Sequence, residues 1–491
     1  MRYHKFTNQM LTDETAFDKI VSFITRNAAF SVLVTYAIAG IATIVLFDGT
    51  GDDGDSIMHY LFARYAPVHP VLFFDHWAKP VFVILSSPFA QFGFSGMKVF
   101  NLFVSLLTFY LTYRTARRLG IRNPVAIIIF LVFTPLYYVL TYSGLTEPLF
   151  ALFLAGSLFL AVHNAGFAAA IVVSFMPFVR SEGLIILGVF GLWFMVSGQW
   201  KALLPLLTGH LVFALAGLFV HHDLLWVVSK IPYASIDSKY GNGSLFHFAF
   251  QLNYVLGIPL LFLFAVGLFS YVWHWIKKTG KVKIPEAILV LFGFIAFFTA
   301  HSLFWYFGLF NSMGLKRVLL GVAPLFAIII LRGFNFLASD FFQQRSWIRM
   351  IVGTCILVYI MIFPFTRNPA AINWKREMHL NGGQKMAGAV ATYLRDNPAP
   401  KDTRLLFNYP YLNIALNVDP FNQATYPGLT PASLREMNLG DQLIWDNWFS
   451  VVESGVTLEM VEQTPGLSQV ITFKSNEKGR NTRFEIFVKD Y

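Results

Sequence analysis

The stretch AAFSVLVTYAIAGIATIVLF, residues 28–47, carries no charge and is followed at once by DGTGDDGD, residues 48–55. A helix needs about 20 apolar residues to cross a bilayer, so the first stretch reads as a membrane span and the second as four acids placed where the chain leaves the hydrocarbon. The run does not alternate residue by residue, which excludes a transmembrane β-strand. The rest of the chain repeats the pattern: of 491 residues, 56% are hydrophobic and 13% charged, against roughly 25% charged in soluble domains. A soluble globular enzyme is thereby excluded. Eleven segments read as spans, roughly 28–47, 97–113, 124–140, 148–163, 167–179, 183–198, 202–220, 248–275, 285–306, 317–333 and 348–365. The single cysteine, Cys355, leaves no disulfide, cysteine-based metal cluster or dithiol centre to build.

The net charge of +10 belongs to the membrane part, because residues 366–491 hold 13 basic and 13 acidic side chains while the first 365 hold 24 and 14. Arg114, Arg117, Arg118 and Arg122, then Lys277, Lys278, Lys281 and Lys283, fall in connecting segments that lie inside when the N-terminus is cytoplasmic, the usual positive-inside bias. They adjoin spans without interleaved exposed aromatics, so no nucleic-acid partner is expected. The first 27 residues mix acids and bases and are long for a signal n-region, which makes 28–47 an uncleaved first span. An odd number of spans puts the C-terminus outside. The expected organisation is a polytopic α-helical membrane part, residues 1–370, and a small extracytoplasmic α/β domain, residues 371–491, with a helix at 383–396 and strands at 404–408, 468–473 and 483–488. The first outer loop, 48–96, contains an apolar stretch too short to cross, so juxtamembrane helices are expected there, with Trp77 and Lys79 as interfacial anchors. A second outer loop covers 221–247.

Asp48, Asp52, Asp53 and Asp55 at such density repel one another, and three readings of them stay open on spacing alone. The turn can cap a helix over 57–65 through Asp55 or Ser56; it can bind Ca²⁺, although the EF-hand spacing with its terminal Glu is missing; or it can present a catalytic carboxylate at the membrane surface. Arg180 and Glu182 lie between two apolar runs, where charge is expensive, and read either as a structural pair or as functional groups. Lys316 and Arg317 open another span on the same face, and Lys239 with Tyr240 lies in the second outer loop; snorkelling is the bland alternative for these cations. Acids at one end and cations at the other form the layout that a hydroxyl nucleophile and a phosphate leaving group require. No phosphate-binding glycine-rich loop for a nucleotide is found.

Five motifs in this order, Gly54-Asp55-Ser-Ile-Met-His59-Tyr60, Asp75-His76-Trp77-Ala-Lys-Pro80, Thr146-Glu147-Pro148, Arg180-Ser-Glu182-Gly183 and Gly314-Leu-Lys316-Arg317 leading to Pro324, resemble polytopic glycosyltransferases of the GT-C superfamily, which includes protein O-mannosyltransferases and the lipid A aminoarabinose transferase. The resemblance covers the whole membrane part. It implies a polyprenyl-phosphate sugar of the undecaprenyl type as donor, a glycan, lipid or protein hydroxyl as acceptor, and an inverting single displacement. Asp55 aligns with the catalytic carboxylate of that group, with Asp53 second because Asp52/Asp53 resembles the dyad of other branches. Arg180, Lys316, Arg317, Lys239 and Tyr240 would bind the phosphate, and His59, Glu182, Asp75, His76 and Glu147 would orient the others. No cofactor is required by this scheme; the alternative implied by some relatives is a divalent metal on Asp52, Asp53 or Asp55. The bacterial cytoplasmic membrane is the expected location.

Two other classes compete. A secondary transporter or flippase would carry intramembrane charge, yet the halves show no repeat and no paired broken helices. An assembly factor would use the aromatic run Leu443-Ile-Trp445-Asp446-Asn-Trp448-Phe449 as an interaction patch, unless those side chains form the core of the outer domain.

Overall fold

A computed structural model describes residues 27–233, 238, 240–341, 346–400, 402–477 and 480–490. The chain is a polytopic bundle of apolar helices followed by a small mixed sheet. Among the described residues, six helices are long and apolar enough to cross a membrane: Ala28–Leu46 (α1), Phe94–Leu119, Trp200–His221, Ile258–Ile276, Glu286–Phe307 and Lys316–Ala338. Shorter apolar helices are Pro80–Ala90, Glu147–Val162, Gly166–Phe178, Gly183–Val196 and Met350–Phe365.

Two segments read as single spans are broken, each for a local reason. Residues 124–140 divide into Ala126–Val132 and Pro135–Thr141, because Pro135 has no N–H to give the preceding turn. Residues 248–275 divide at Gly257, whose φ of +73° suits glycine and whose Cβ would meet the Phe363 ring at 2.5 Å.

The segment from Lys316 to Ala338 is the centre of the bundle, with 89% of its apolar window buried. Its N-terminal turn, Lys316–Val322, is 3₁₀ and runs into the helix Ala323–Asn335. Whatever side chain the chain places at residue 317 therefore stands at the end of the most enclosed helix. Residues 48–96 hold the short helices Asp55–Tyr65 (α2) and Pro80–Ala90 (α3), where juxtamembrane helices were expected. The long helix Phe94–Leu119 (α4) follows them, and the helix Glu147–Val162 (α5) packs along α4.

The C-terminal sheet has the order β1-β2-β4-β3, built from Leu405–Leu406, Gln442–Asp446, Leu467–Glu477 and Arg480–Lys489. β1 runs parallel to β2, and β4 is antiparallel to both of its neighbours. The helix Gly382–Asp396 (α6) lays Ala387, Val390 and Leu394 on one face against Ile444, Phe484 and Ile486, while Leu406, Leu443, Trp445 and Phe487 fill the other. The strand at 442–446 was not anticipated. It is the front of the aromatic run, and its Leu443, Ile444 and Trp445 are core side chains, so that part offers no interaction patch.

Candidate functional site

The acid-rich turn is shaped by a small set of close fits. Gly51 has φ +87°, and a Cβ there would strike the Ser143 side chain at 2.4 Å; a Cβ on Gly144 would lie 2.2 Å from the Ser56 carbonyl. Turn 50–56 and segment 143–144 are thus pressed together at two points that tolerate only glycine. Buried Ser56 ties them, its hydroxyl donating to the Thr50 carbonyl (2.5 Å) and accepting from the Gly144 N–H (2.7 Å). From below, the amide of Asn101 on α4 donates to the carbonyls of Ser143 (2.7 Å) and Leu145 (3.1 Å). The expected capping of α2 by Asp55 or Ser56 is corrected: Gly54 holds the N-cap position, and Asp52 Oδ1 accepts the N–H groups of Gly54 (3.1 Å) and Ser56 (2.8 Å). That leaves the Asp55 carboxylate turned away from its own backbone.

This packing places Glu147, the first residue of α5, beneath the turn, fully buried. Arg317 fills the space between. Its Nη1 donates to Asp52 Oδ2 at 2.7 Å, its Nη2 donates to Asp55 Oδ2, and its Nε lies 3.6 Å from Glu147 Oε1. Arg180 reaches the same Glu147 oxygen at 2.8 Å and donates to Thr146 Oγ1 (2.9 Å) and Glu182 Oε1 (2.8 Å). His301, from a spanning helix, lies 4.0 Å from Glu182. Asp52, Asp55, Glu147, Arg180, Glu182 and Arg317, from four separate stretches of sequence, form one continuous ionic cluster.

The cluster is graded from closed to open. Side-chain exposure is 0% at Glu147, 18% at Glu182, 30% at Asp52 and 45% at Asp55. Burial alone would raise the Asp55 carboxyl, but the Arg317 guanidinium, helped by Arg180, holds it below its ordinary range. Asp52 goes the other way: burial lifts it, Arg317 pulls it down, and the adjoining Asp55 carboxylate adds to the rise, leaving it at about 6. Glu182 is carried down to about 2, where Arg180 outweighs the burial cost. His59 stacks on Trp77 (centroids 4.9 Å apart, planes at 14°), and burial keeps it neutral by pushing it down to about 3.

Lys79, read above as an interfacial anchor, belongs beside this cluster. Its Nζ donates to Ser181 Oγ at 2.9 Å, between Arg180 and Glu182. Its backbone has φ +72°, a left-handed conformation that a residue with a Cβ adopts only when its surroundings force it. Asp75 supplies part of that force by accepting the Ala78 N–H (2.8 Å). Burial lowers the ammonium to about 8. A lysine at the start of an apolar helix, where the helix dipole disfavours a cation, was the available signal.

The remaining sequence-level candidates lie elsewhere. Asp53 accepts from the Asn381 side-chain amide and faces the C-terminal part. His76 pairs with the Val227 carbonyl (3.1 Å), and Asp75 serves the turn before α3. Lys316 sits over the Tyr254 ring, 5.4 Å from its centroid, and Tyr240 donates to Glu453 at 3.2 Å. Lys239 lies outside the described residues. The donor set does not fit a divalent metal as it stands: Asp53 diverges from its neighbours, the Arg317 guanidinium occupies the position between Asp52 and Asp55, and no grouping of three His, Cys, Asp or Glu suited to a metal occurs among the described residues.

The geometry can be set beside known proteins. No protein-family model and no curated protein matches the sequence. Among solved structures, ArnT from Cupriavidus metallidurans, in its crystal structure bound to undecaprenyl phosphate, superposes with a TM-score of 0.57 at 12% identity, covering 96% of this chain and 98% of that one. The chain has the fold of ArnT. The shared fold extends over both the helical bundle and the C-terminal sheet. At 12% identity the likeness to ArnT is one of fold, and the side-chain chemistry rests on the residues above.

Proposed function

We propose that this protein is a membrane glycosyltransferase that moves a sugar from a polyprenyl-phosphate donor to an extracytoplasmic hydroxyl. The observation that carries the reading is the pairing of a half-open carboxylate, Asp55, with the Arg317 guanidinium, which Glu147 links to Arg180, with the Lys79 ammonium bound to Ser181 next to Arg180. ArnT, which shares the fold, is the protein bound to undecaprenyl phosphate in its own structure, and that lipid class is the donor proposed here.

In the proposed reaction the acceptor oxygen attacks the anomeric carbon, the bond from that carbon to the phosphate oxygen breaks, and the acceptor proton passes to Asp55 as general base. The displacement inverts the anomeric configuration. Negative charge grows on the departing lipid phosphate, and Arg317, Arg180 and Lys79 are fixed cations within a site walled by protein, where such stabilisation is strongest. Glu147 holds both guanidiniums at one oxygen and thereby sets their spacing. No metal or nucleotide enters the scheme. The C-terminal domain, residues 371–491, is assigned a part in acceptor choice, and the location proposed is a bacterial cytoplasmic membrane with N-terminus inside and that domain outside.

The test uses detergent-purified protein and labelled polyprenyl-phosphate sugar with envelope extract as acceptor. Release of the lipid phosphate together with label in a new product is the expected result. Binding of the lipid without release would instead identify a carrier.

A further inference from the structure

Two guanidiniums in the site face four carboxylates. Arg317 contacts Asp52, Asp55 and Glu147; Arg180 contacts Glu147 and Glu182. Both cations are therefore fully committed, and a phosphate can gain Arg317 only by displacing one of its carboxylates. Asp52 is braced by two backbone N–H groups, and Glu147 is sealed under the turn. Asp55 has neither restraint. Among the described hydrogen bonds its carboxylate has Arg317 as its partner, and it is the most exposed acid of the four, at 45%. The same pairing that occupies Arg317 also silences Asp55, because a carboxylate bound to a guanidinium is a weaker base.

We propose that the Arg317–Asp55 ion pair is a latch that the donor opens. A phosphate first meets Lys79, whose ammonium is hydrogen-bonded to a hydroxyl and makes no ion pair among the described residues. The phosphate oxygen then takes the Nη2 donor of Arg317, the Asp55 carboxylate is released toward the solvent side, and its affinity for a proton rises to what a general base needs. The acid is thus armed only when the leaving group is in place, so donor binds before acceptor. The inference rests on the donor reading above and adds a competition that the reading does not require.

Competition is measurable without turnover. Equilibrium binding of undecaprenyl phosphate to detergent-purified full-length protein is compared with that of uncharged undecaprenol, for the wild type and for Asp55→Asn, Asp52→Asn and Asp48→Asn. Asp48 lies in the same turn but pairs with His379 (2.9 Å), so its variant removes equal charge without touching Arg317. The latch predicts that Asp55→Asn binds undecaprenyl phosphate about tenfold more tightly, the worth of one charge-assisted hydrogen bond no longer contested, that Asp52→Asn tightens it less, and that Asp48→Asn leaves it unchanged. Unchanged or weaker binding by Asp55→Asn, or equal tightening by Asp48→Asn, overturns the latch and leaves the donor reading standing. Wild-type protein that binds the lipid phosphate no better than undecaprenol overturns both. Thermal midpoints recorded on the same samples confirm that each variant is folded, and Asp52→Asn carries the test if Asp55→Asn is not.

Discussion

Asp55 and Lys79 carry the residue-scale account from opposite sides, one as the acid left open and the other as a cation that, among the described residues, bonds a hydroxyl and no carboxylate. Lys79 titrates near 8 because burial disfavours its charge. The ammonium is the form that binds phosphate, so affinity for the lipid phosphate is full at neutral pH and falls as pH rises through about 8. Lys79→Met should bind weakly throughout and flatten this dependence between pH 7 and 9; an unchanged slope would remove Lys79 from the phosphate site. Arg317→Lys keeps one charge but has no fork to span Asp52 and Asp55, and we expect transfer to drop by about 100-fold, a loss on the scale of removing one oxyanion donor. Arg180, Glu182 and Arg317 could be picked out from sequence because charge beside apolar runs is costly and stands out, whereas Asp55 was singled out among the four acids of its turn by the family resemblance alone. Lys79 could not be distinguished from a snorkelling anchor, since its role depends on a left-handed backbone and on Ser181, 102 residues away in sequence.

At the scale of elements, the site exists because loop turns and helix ends are pressed together through glycines. Gly144→Val would drive a side chain into the Ser56 carbonyl, and the variant should lose transfer and accumulate poorly. Asn101→Leu leaves the carbonyls of Ser143 and Leu145 without their donor in a buried setting, at a cost of about 2 kcal/mol. A lowered thermal midpoint with sharply reduced activity is the expected outcome; a wild-type midpoint would mean the segment is held otherwise. Apolar runs gave the span positions, since burial in hydrocarbon demands unbroken apolar helices. Their interruptions were less legible. Pro135 was visible as a breaker, but whether a proline kinks or ends a helix depends on its neighbours, and the short strand at 442–446 was hidden by an aromatic run that equally suits a surface patch.

On the scale of the whole molecule, the acid-rich turn is held from two sides. The bundle grips it through Arg317, and the C-terminal part grips it through the cap of α6: His379 and the Leu380 N–H bind Asp48, Asn381 binds Asp53, and Gln384 donates to Thr50 Oγ1 at 2.6 Å. The four acids thus tolerate their crowding because each has a partner, and two segments far from the turn in sequence supply them. None of this cross-chain pairing could be read from composition or spacing. The double variant Asn381→Ala/Gln384→Ala should retain binding of undecaprenyl phosphate while its turnover falls about tenfold, because the turn that aims Asp55 is loosened and the cations are not; equal loss of binding would place the C-terminal part in the donor site itself. The most direct test of the central claim is the rate at which purified protein releases lipid phosphate from a labelled polyprenyl-phosphate sugar in the presence of acceptor, measured for wild type and Asp55→Asn at equal abundance. The account predicts release by the wild type and none above background for Asp55→Asn. Near wild-type release by the variant would contradict it.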